Sequence, residues 1–582
     1  MGRQGLWKCP NCGKHQIWKV RSASTSKLDR SCTSCGERVR ATLDRSPSGK
    51  GRRGSVDIWE RSMKLDDYAL MKEVLARDGS NSGTIIGKNG EIRDEGQSGL
   101  VPIFANQWRP EKGLSFPSKI ASEKVRTELL RFVSERNEGY LDTVAMCWES
   151  SSPPELFDGD SYHSFSLRFE EKMADILSQR LLEPNLIGIQ EIEIIPRRTG
   201  SSHISRRITR LMVDLRICLR RIAHYHSVTI DQRIIWQRWM IRTRIVDEHL
   251  KELFTNGLET PDGGRFTGKG FRSTWQEGVV ACASAMSRAI DLPESEIDSA
   301  DVIAPMIRDT GLAMAMGQTP TEVFAAQMGK AESYMDGGNP GSGGRDLHIG
   351  NWGKRVLPPT APLPTASATT TGIALAAQRL GKSRFHLAPV GEGCSSSGEF
   401  WEAMNLAGTR GLPICYMIQN NQIALDTFVL GQSGAETFGD KGISMGIPSW
   451  TIDGSDPAQF YASTSVAREI ALSGGGSTLI HVETMRGCGH AHHHDDLYLG
   501  SVSGNPPGYV DKELLSYWAD KDPLPNHREL LIRKGCSEKV ISLIEEEERE
   551  MVKSCREDME SMPWPEGHSV VEGVTSLINA RS

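Results

Sequence analysis

The feature that most constrains this 582-residue chain is the stretch GEGCSSSGEFWEAMNLAGTRGLPICYMIQNNQIALDT, residues 391–427. It holds a Gly-acid-Gly turn, 26 intervening residues and an Asn-Asn pair within one strand-helix-strand unit. The short apolar run at 385–390 predicts a buried parallel strand, so Gly391-Glu392-Gly393 falls where that strand ends and the chain turns sharply. Glycine at such a turn lets the backbone approach a ligand closely. Residues 398–410 carry apolar side chains at Phe400, Met404 and Ala407 and meet a stop at Gly411 and Pro413, which predicts a helix. A second buried strand at 414–418 then delivers Asn420-Asn421 to the sheet edge where open parallel sheets bind ligands. Magnesium prefers octahedral oxygen ligands and keeps phosphate oxygens in its shell. Glu392, the Asn421 amide oxygen and a backbone carbonyl near Ile423 would form half of that shell, and a diphosphate the rest. Taken alone, Gly-Glu-Gly is equally an ordinary strand-to-helix turn.

With the internal run Glu402-Ala403-Met404-Asn405 added, these residues resemble the thiamine diphosphate signature. They are similar in particular to the alpha subunit of the decarboxylating component of 2-oxo acid dehydrogenase complexes. The resemblance covers roughly residues 228–575. It implies an α/β thiamine-diphosphate-binding fold, a parallel sheet flanked by helices, with Gly391, Gly393, Cys394 and Asn420 against the cofactor. The usual acid of the turn is Asp, and Glu392 is similar to the branched-chain 2-oxo acid enzymes. Met306-Ile307-Arg308-Asp309-Thr310-Gly311 matches the family's aromatic-Arg-x-x-Gly segment, which assigns Arg308 to the diphosphate through its permanently charged fork. Ile307 stands where the family has an aromatic residue, so one diphosphate hydrogen bond is expected to be missing. A surface salt bridge is the plain alternative for Arg308.

Pro362-Leu363-Pro364-Thr365 resembles the family's Pro-Leu-Ala-Thr turn, in which the leucine wedges beneath the cofactor and holds it bent. Pro362 and Leu363 are thereby assigned to cofactor binding, against the alternative that Leu363 is plain core. Ala366 replaces the glutamine of branched-chain members, which puts their monovalent-ion site in doubt. The run Gly489-His490-Ala491-His492-His493-His494-Asp495-Asp496 is similar to the family loop whose histidine contacts the diphosphate and handles protons. His490, directly after the glycine, is the first candidate and His492 the second. Four histidines and two aspartates so close together could instead form a metal-binding tract. The polar residues that carry regulatory phosphorylation in some relatives are absent from this run, so no such switch is expected. Residues 231–255 read as the family's first helix, Trp275-Gln276-Glu277-Gly278 as a later helix start, and the charged run at 537–556 as a solvated carboxyl-terminal helix.

The amino-terminal segment is of another kind. Cys9-x2-Cys12, nineteen residues, then Cys32-x2-Cys35 is close to the tetrathiolate spacing of zinc ribbons. Residues 1–55 carry thirteen Lys and Arg against three Asp and Glu, a net of +10, whereas the remainder of the chain is at −16. A basic ribbon with Trp7 and Trp18 could bind nucleic acid through phosphates and stacking, or dock on an acidic partner. The expected organisation is a zinc ribbon at 1–45, a basic linker at 46–55, a small α/β domain at 56–225 and the cofactor-binding domain at 226–582. Within 56–225 the pattern suggests a loop at 78–98, a helix at 122–135, strands at 140–148 and 161–168, a helix to 182 and a strand at 186–196. Arg197, Arg198, Arg206, Arg207, Arg210, Arg216, Arg220 and Arg221 cluster along a following helix, as a solvated face or a docking surface for an acidic partner.

Twelve cysteines, eight of them scattered singly, fit a reducing cytosol. No apolar run is long enough to span a bilayer, so a soluble cytoplasmic protein is expected. The resemblance implies oxidative decarboxylation of a 2-oxo acid with acyl transfer to a lipoyl group. The branched-chain 3-methyl-2-oxobutanoate type comes first, with pyruvate and acetoin as alternatives. Family enzymes take a further glutamate from a beta subunit, which implies an alpha2beta2 assembly docked on a lipoyl acyltransferase core. Two readings of another class are a non-catalytic scaffold and a zinc-ribbon nucleic-acid binder with a vestigial enzyme domain.

Overall fold

The computed structural model describes residues 3–8, 15–20, 27–31, 38–43, 84–86, 92–94, 101–110, 113–181, 193–195, 198–333, 347–501 and 507–567. The chain divides into two compact units, Met1–Ser80 and Asn81–Ser582. The larger is organised around a five-stranded parallel sheet. Its strands are β1 (Val302–Ile303), β2 (His386–Gly391), β3 (Ile414–Asn420), β4 (Ser449–Asp453) and β5 (Thr478–Glu483), in the order β1-β2-β3-β5-β4. Every residue of β3 is buried, as a central parallel strand covered on both faces requires. The register pairs Gly391 with Gln419, Asn420 with Glu483 and Asp453 with Glu483. The carboxyl ends of four strands therefore lie level at one edge, and the loops leaving them meet there.

Helix α1 (Gly200–Ser227) and helix α2 (Ile230–Asn256) carry the chain into this core, α2 opening on a capping box between Thr229 and Gln232. The expected helix at 231–255 is thus present. The run Trp275-Gly278 leads into a 3-10 helix, Glu277–Ala285, rather than an α-helix. The carboxyl-terminal helix α3 (Glu538–Ser561) is only partly a solvated face. It buries Ile541, Ile544, Val552 and Met559, and its buried Glu548 takes Arg238 at 2.9 Å and Arg242 at 2.7 Å from α2.

Two strand expectations are corrected. Residues 140–148 lie mostly in the helix Leu141–Ser150, and 161–168 lie inside the helix Gly159–Leu181. Aromatic and β-branched composition suggested strands, but the buried positions Thr143, Val144, Cys147 and Trp148, and Tyr162, Phe165 and Phe169, recur at helical spacing. Trp148 packs edge-on against Phe165 with ring centroids 4.6 Å apart, and this aromatic cluster is continuous with the core containing Trp450 and Ile480. The described part of 113–225 is therefore a helical layer of the larger unit and not a separate α/β domain. The expected loop at 78–98 contains a short antiparallel pair, Thr84–Ile86 with Ile92–Asp94, and within 186–196 the strand is Glu193–Ile195.

Half of the arginines of the cluster that lie on α1, namely Arg216, Arg220 and Arg221, are spent inside the fold. Arg220 grips Glu469 through two contacts, at 2.7 and 2.9 Å, and Arg216 pairs with Glu170. Arg221 lies between the Phe132 and Trp450 rings, where burial lowers its pKa. The smaller unit contains a four-stranded antiparallel sheet in the order His15–Val20, Arg3–Lys8, Arg38–Leu43, Lys27–Ser31. Cys9, Cys12, Cys32, Cys35 and the basic segment 46–55 lie outside the described residues. Among the described residues, no helix is long and apolar enough to cross a membrane.

Candidate active site

The turn after β2 is shaped by what surrounds it. A Cβ at Gly393 would lie 2.6 Å from the Ala424 Cβ, so only glycine lets this turn sit against the 423–428 hairpin. Gly391 is less demanding, since a Cβ there would meet only the Met306 sulfur at 3.7 Å. The chain continues through a 3-10 turn, Cys394–Ser396, into the helix Gly398–Arg410, which ends on Gly411 in the left-handed conformation. Burial pushes the Cys394 thiol up to about 11, so it stays protonated.

Between the two glycines, Glu392 is buried and accepts the Asn421 backbone N–H at 3.3 Å through Oε2. Among the described residues, its other oxygen, Oε1, and the Asn421 Oδ1 are both buried without a hydrogen-bond partner. A buried polar oxygen left unmade costs about 1–3 kcal/mol, and two on adjoining residues form the hard oxygen set that a divalent cation satisfies. The donor set thus fits the magnesium expected there. Burial raises the Glu392 pKa, while the Asn421 N–H and nearby Arg308 act in the opposite direction.

The loop after β3 is strained and then held. Gln422 has φ +74°, a left-handed backbone that a non-glycine residue rarely adopts. Its side-chain amide donates to Glu483 Oε2 at 2.8 Å and to the Thr484 carbonyl at 3.0 Å. Asn420 donates to both Glu483 oxygens at 3.1–3.2 Å and accepts the Gln422 N–H at 3.1 Å. The Asn420 side chain is therefore committed to shaping this loop, which presents Asn421 and the buried Ile423.

Arg308 is buried and faces the same edge. It donates to the Arg272 carbonyl at 3.1 Å and, through the other arm of its fork, to His490 Nδ1 and the His490 carbonyl, both at 3.4 Å. Burial and neighbouring Arg486 pull its pKa down, so an anion arriving here would relieve an unfavourable concentration of positive charge. Arg308 is 5% exposed and has no ion pair among the described residues, so the surface salt bridge offered as the alternative is not what places it. The pKa of His490 is lowered to about 3, first by burial and then by Arg308, which leaves its imidazole neutral.

His492 is placed elsewhere. It stacks on Phe254 of α2 with ring centroids 5.3 Å apart, closely packed against Gly270, with both ring nitrogens unpartnered. The structure brings His490 to Arg308 and does not bring His492. Asp495 anchors the loop by accepting the Gly489 N–H at 2.9 Å and pairing with Lys251 at 2.8 Å and with Arg272. Among the described residues, no three His, Cys, Asp or Glu side chains converge on one point.

Leu363 is 63% exposed, which excludes plain core. Its turn is tied down by the Thr360 hydroxyl, which donates to the Pro362 carbonyl at 2.9 Å and accepts the Ala366 N–H at 3.1 Å. Thr365 then reaches Glu399, at the start of the helix that follows the Gly391–Gly393 turn, at 3.2 Å.

Three supporting side chains carried no sequence signal. Buried Lys441 donates to Ser395 O at 2.9 Å and Oγ at 2.8 Å, and the Ser395 hydroxyl in turn donates to the Glu392 carbonyl at 2.6 Å. Asp309 is held by Gln419 at 3.1 Å. Asp247 of α2 accepts the Ser273 N–H at 2.5 Å, and the Ser273 hydroxyl donates to the Arg308 carbonyl at 2.5 Å.

A parallel sheet whose carboxyl edge gathers a carboxylate turn, an asparagine loop and a buried arginine defines an α/β protein of the kind that carries its ligand site at that edge. The chain belongs to the dehydrogenase E1 component family, whose model matches residues 274–566. It is 36% identical over 190 residues to the pyruvate dehydrogenase E1 component subunit alpha of Bacillus subtilis, an alignment spanning 33% of this chain and about half, 47%, of that relative. With the 2-oxoisovalerate dehydrogenase subunit alpha of the same organism, identity is 27% over 299 residues, 51% of this chain and 86% of the relative. The pyruvate dehydrogenase E1 component subunit alpha of Staphylococcus aureus (strain MRSA252) is 29% identical over 354 residues, 60% of this chain and 82% of the relative.

Proposed function

We propose that the chain is the alpha subunit of a thiamine-diphosphate- and magnesium-dependent 2-oxo acid dehydrogenase, passing its acyl product to a lipoyl group. The observation that carries this reading is the pair of unpartnered buried oxygens, Glu392 Oε1 and Asn421 Oδ1, facing the same edge as Arg308. Glu392, Asn421 and the Ile423 carbonyl would hold the magnesium, and Arg308 would balance the diphosphate charge. When bound, thiamine diphosphate supplies a nucleophilic carbon and an electron sink for decarboxylation. The residues of this chain do the rest. Gly393 admits the diphosphate to the backbone, Leu363 supports the cofactor from beneath, and His490 offers a neutral imidazole whose basicity rises when diphosphate offsets Arg308. Exposed Leu425, Phe428, Leu430, Leu497 and Leu499 stand near these loops, which suits a beta subunit closing the site.

The substrate is a 2-oxo acid. Glu392 favours a branched-chain one, whereas the higher identity to a pyruvate dehydrogenase subunit favours pyruvate. The test is to purify the chain with its natural partner and follow cofactor- and magnesium-dependent reduction of an artificial electron acceptor with 3-methyl-2-oxobutanoate, 4-methyl-2-oxopentanoate and pyruvate. Turnover ranks the substrates. Absence of turnover with all three, at saturating cofactor and with a beta-type partner bound, would leave the non-catalytic reading in its place.

For the amino-terminal unit we propose a zinc tetrathiolate. Cys9 and Cys12 fall in the connection between the antiparallel strands Arg3–Lys8 and His15–Val20, and Cys32 and Cys35 in that between Lys27–Ser31 and Arg38–Leu43. Paired hairpin connections of this kind are where zinc ribbons carry their ligands.

A further inference from the structure

A cavity of about 410 Å³ lies away from the candidate active site, between helices outside the family region and the segment that leads into β4. Its volume is within the range of known small-molecule sites, roughly 300–1,000 Å³. One wall is α1, which presents Arg207, Arg210 and Asp214 along a single face at helical spacing. A second wall is the end of the helix Ser122–Arg136 and the turn after it, with Arg136, Asn137 and the carboxylate of Glu138, and the third runs from Ile443 to Ser449, so three arginines face two acidic side chains.

The charges in this cavity are not mutually satisfied. Arg210 and Asp214 stand four residues apart, where an ion pair would ordinarily form, yet Asp214 instead accepts the Asn137 side-chain amide at 3.2 Å. Among the described residues, neither Arg207 nor Arg210 has an ion pair within 4 Å. Arg136 is 5% exposed at its side chain and uses one guanidinium nitrogen on Asp440, at 2.5 Å. Its second nitrogen, Nη2, is buried without a partner. The space for this guanidinium exists because residue 439 is glycine, since any Cβ there would overlap it. Burial raises the Asp214 pKa to about 6, while Asn137, Arg136 and Arg210 act in the opposite direction, so at neutral pH it remains an acceptor.

We propose that this cavity is a binding site for a small organic oxyanion carrying two negative charges, a phosphate ester or a dicarboxylate of metabolite size. Arg207 and Arg210 bind the charged groups through their planar forks. Arg136 Nη2 supplies a desolvated donor at the inner end, and Asp214 accepts from a hydroxyl or amine of the ligand. The site is formed largely by residues that precede the family region, so it is a property of this chain's extension and stands whether or not the proposed reaction is correct.

The test is calorimetric titration of the full-length chain, its cofactor site first filled with thiamine diphosphate and magnesium, using inorganic phosphate and succinate as probes in separate runs. Saturable binding of phosphate alone supports a phosphate ester, and of succinate alone a dicarboxylate. In either case the double variant Arg207→Gln, Arg210→Gln should weaken binding at least about tenfold, while Arg533→Gln, on the exposed face of the helix Pro523–Arg533, leaves it unchanged. Both double-variant substitutions replace solvent-reaching side chains, and an unaltered melting temperature will show that the variant is folded. Failure of both probes to saturate, or saturation that the double variant does not alter, would overturn the proposal.

Discussion

At the scale of single residues, the candidate site turns on two oxygens. Glu392 and Asn421 are brought together by one backbone hydrogen bond, and each keeps a buried oxygen that accepts no hydrogen bond from the described residues. Asn421→Ala should therefore lower magnesium and thiamine diphosphate affinity together, by about 10–100-fold, as measured by fluorescence titration. An unchanged cofactor affinity would remove Asn421 from the ligand set. The residues of this site were largely visible in the sequence, because Gly393, Glu392, Asn421 and Arg308 sit in short motifs whose spacing follows from a strand-turn-helix unit. The role of Asn420 in shaping its loop was not legible, for a local reason. Its side chain is drawn into Glu483, a partner 63 residues away that only the sheet register reveals. The choice between His490 and His492 was likewise open in sequence, since both stand in one loop and only the fold decides which ring meets Arg308.

At the scale of elements, the turn that carries Glu392 depends on a five-residue helix, Asp440–Ser444, whose Lys441 holds Ser395 from behind. Burial lowers the Lys441 pKa to about 8 in the absence of any carboxylate partner. Lys441→Met keeps the volume but leaves the Ser395 oxygens without these donors, a loss of about 1–3 kcal/mol. Cofactor binding should weaken by about tenfold or more while decarboxylation of bound substrate changes little; wild-type affinity in this variant would make the lysine a packing feature only. A second support runs from α2 through Asp247 and Ser273 to Arg308. Burial raises the Asp247 carboxyl to about 8, against about 3.9 unfolded. The folded state thus retains a proton that the unfolded state has released, and stability conferred by that proton declines as pH rises from about 4 to 8. Relative to wild type, Asp247→Asn should gain melting temperature across that window, and a constant difference between pH 5 and pH 8 would refute it. Elements also show where sequence reading failed. The helices Leu141–Ser150 and Gly159–Leu181 read as strands because aromatic and β-branched residues were weighed above their helical spacing.

At the scale of the whole molecule, the parallel sheet and its carboxyl edge were legible because buried parallel strands are continuous apolar runs, as β2 and β3 are. The helical layer at 113–227 was not, because its fit to the rest depends on long-range ties such as Arg220 with Glu469, 249 residues apart. The amino-terminal unit makes a separate prediction. The purified chain should contain about one zinc ion by elemental analysis, and Cys9→Ser with Cys12→Ser should abolish it. A metal-free chain with four readily alkylated thiols in that unit would dispose of the tetrathiolate.

One feature of the larger unit bears on how the molecule can be altered. Arg136, from the helical layer, pairs with Asp440, and the very next residue, Lys441, braces the turn that carries Glu392. The layer is thus no passenger on an otherwise standard enzyme. A polypeptide begun at residue 274 would span the whole stretch matched by the family model and yet lose the anchor on which the short helix beneath the Glu392 turn rests.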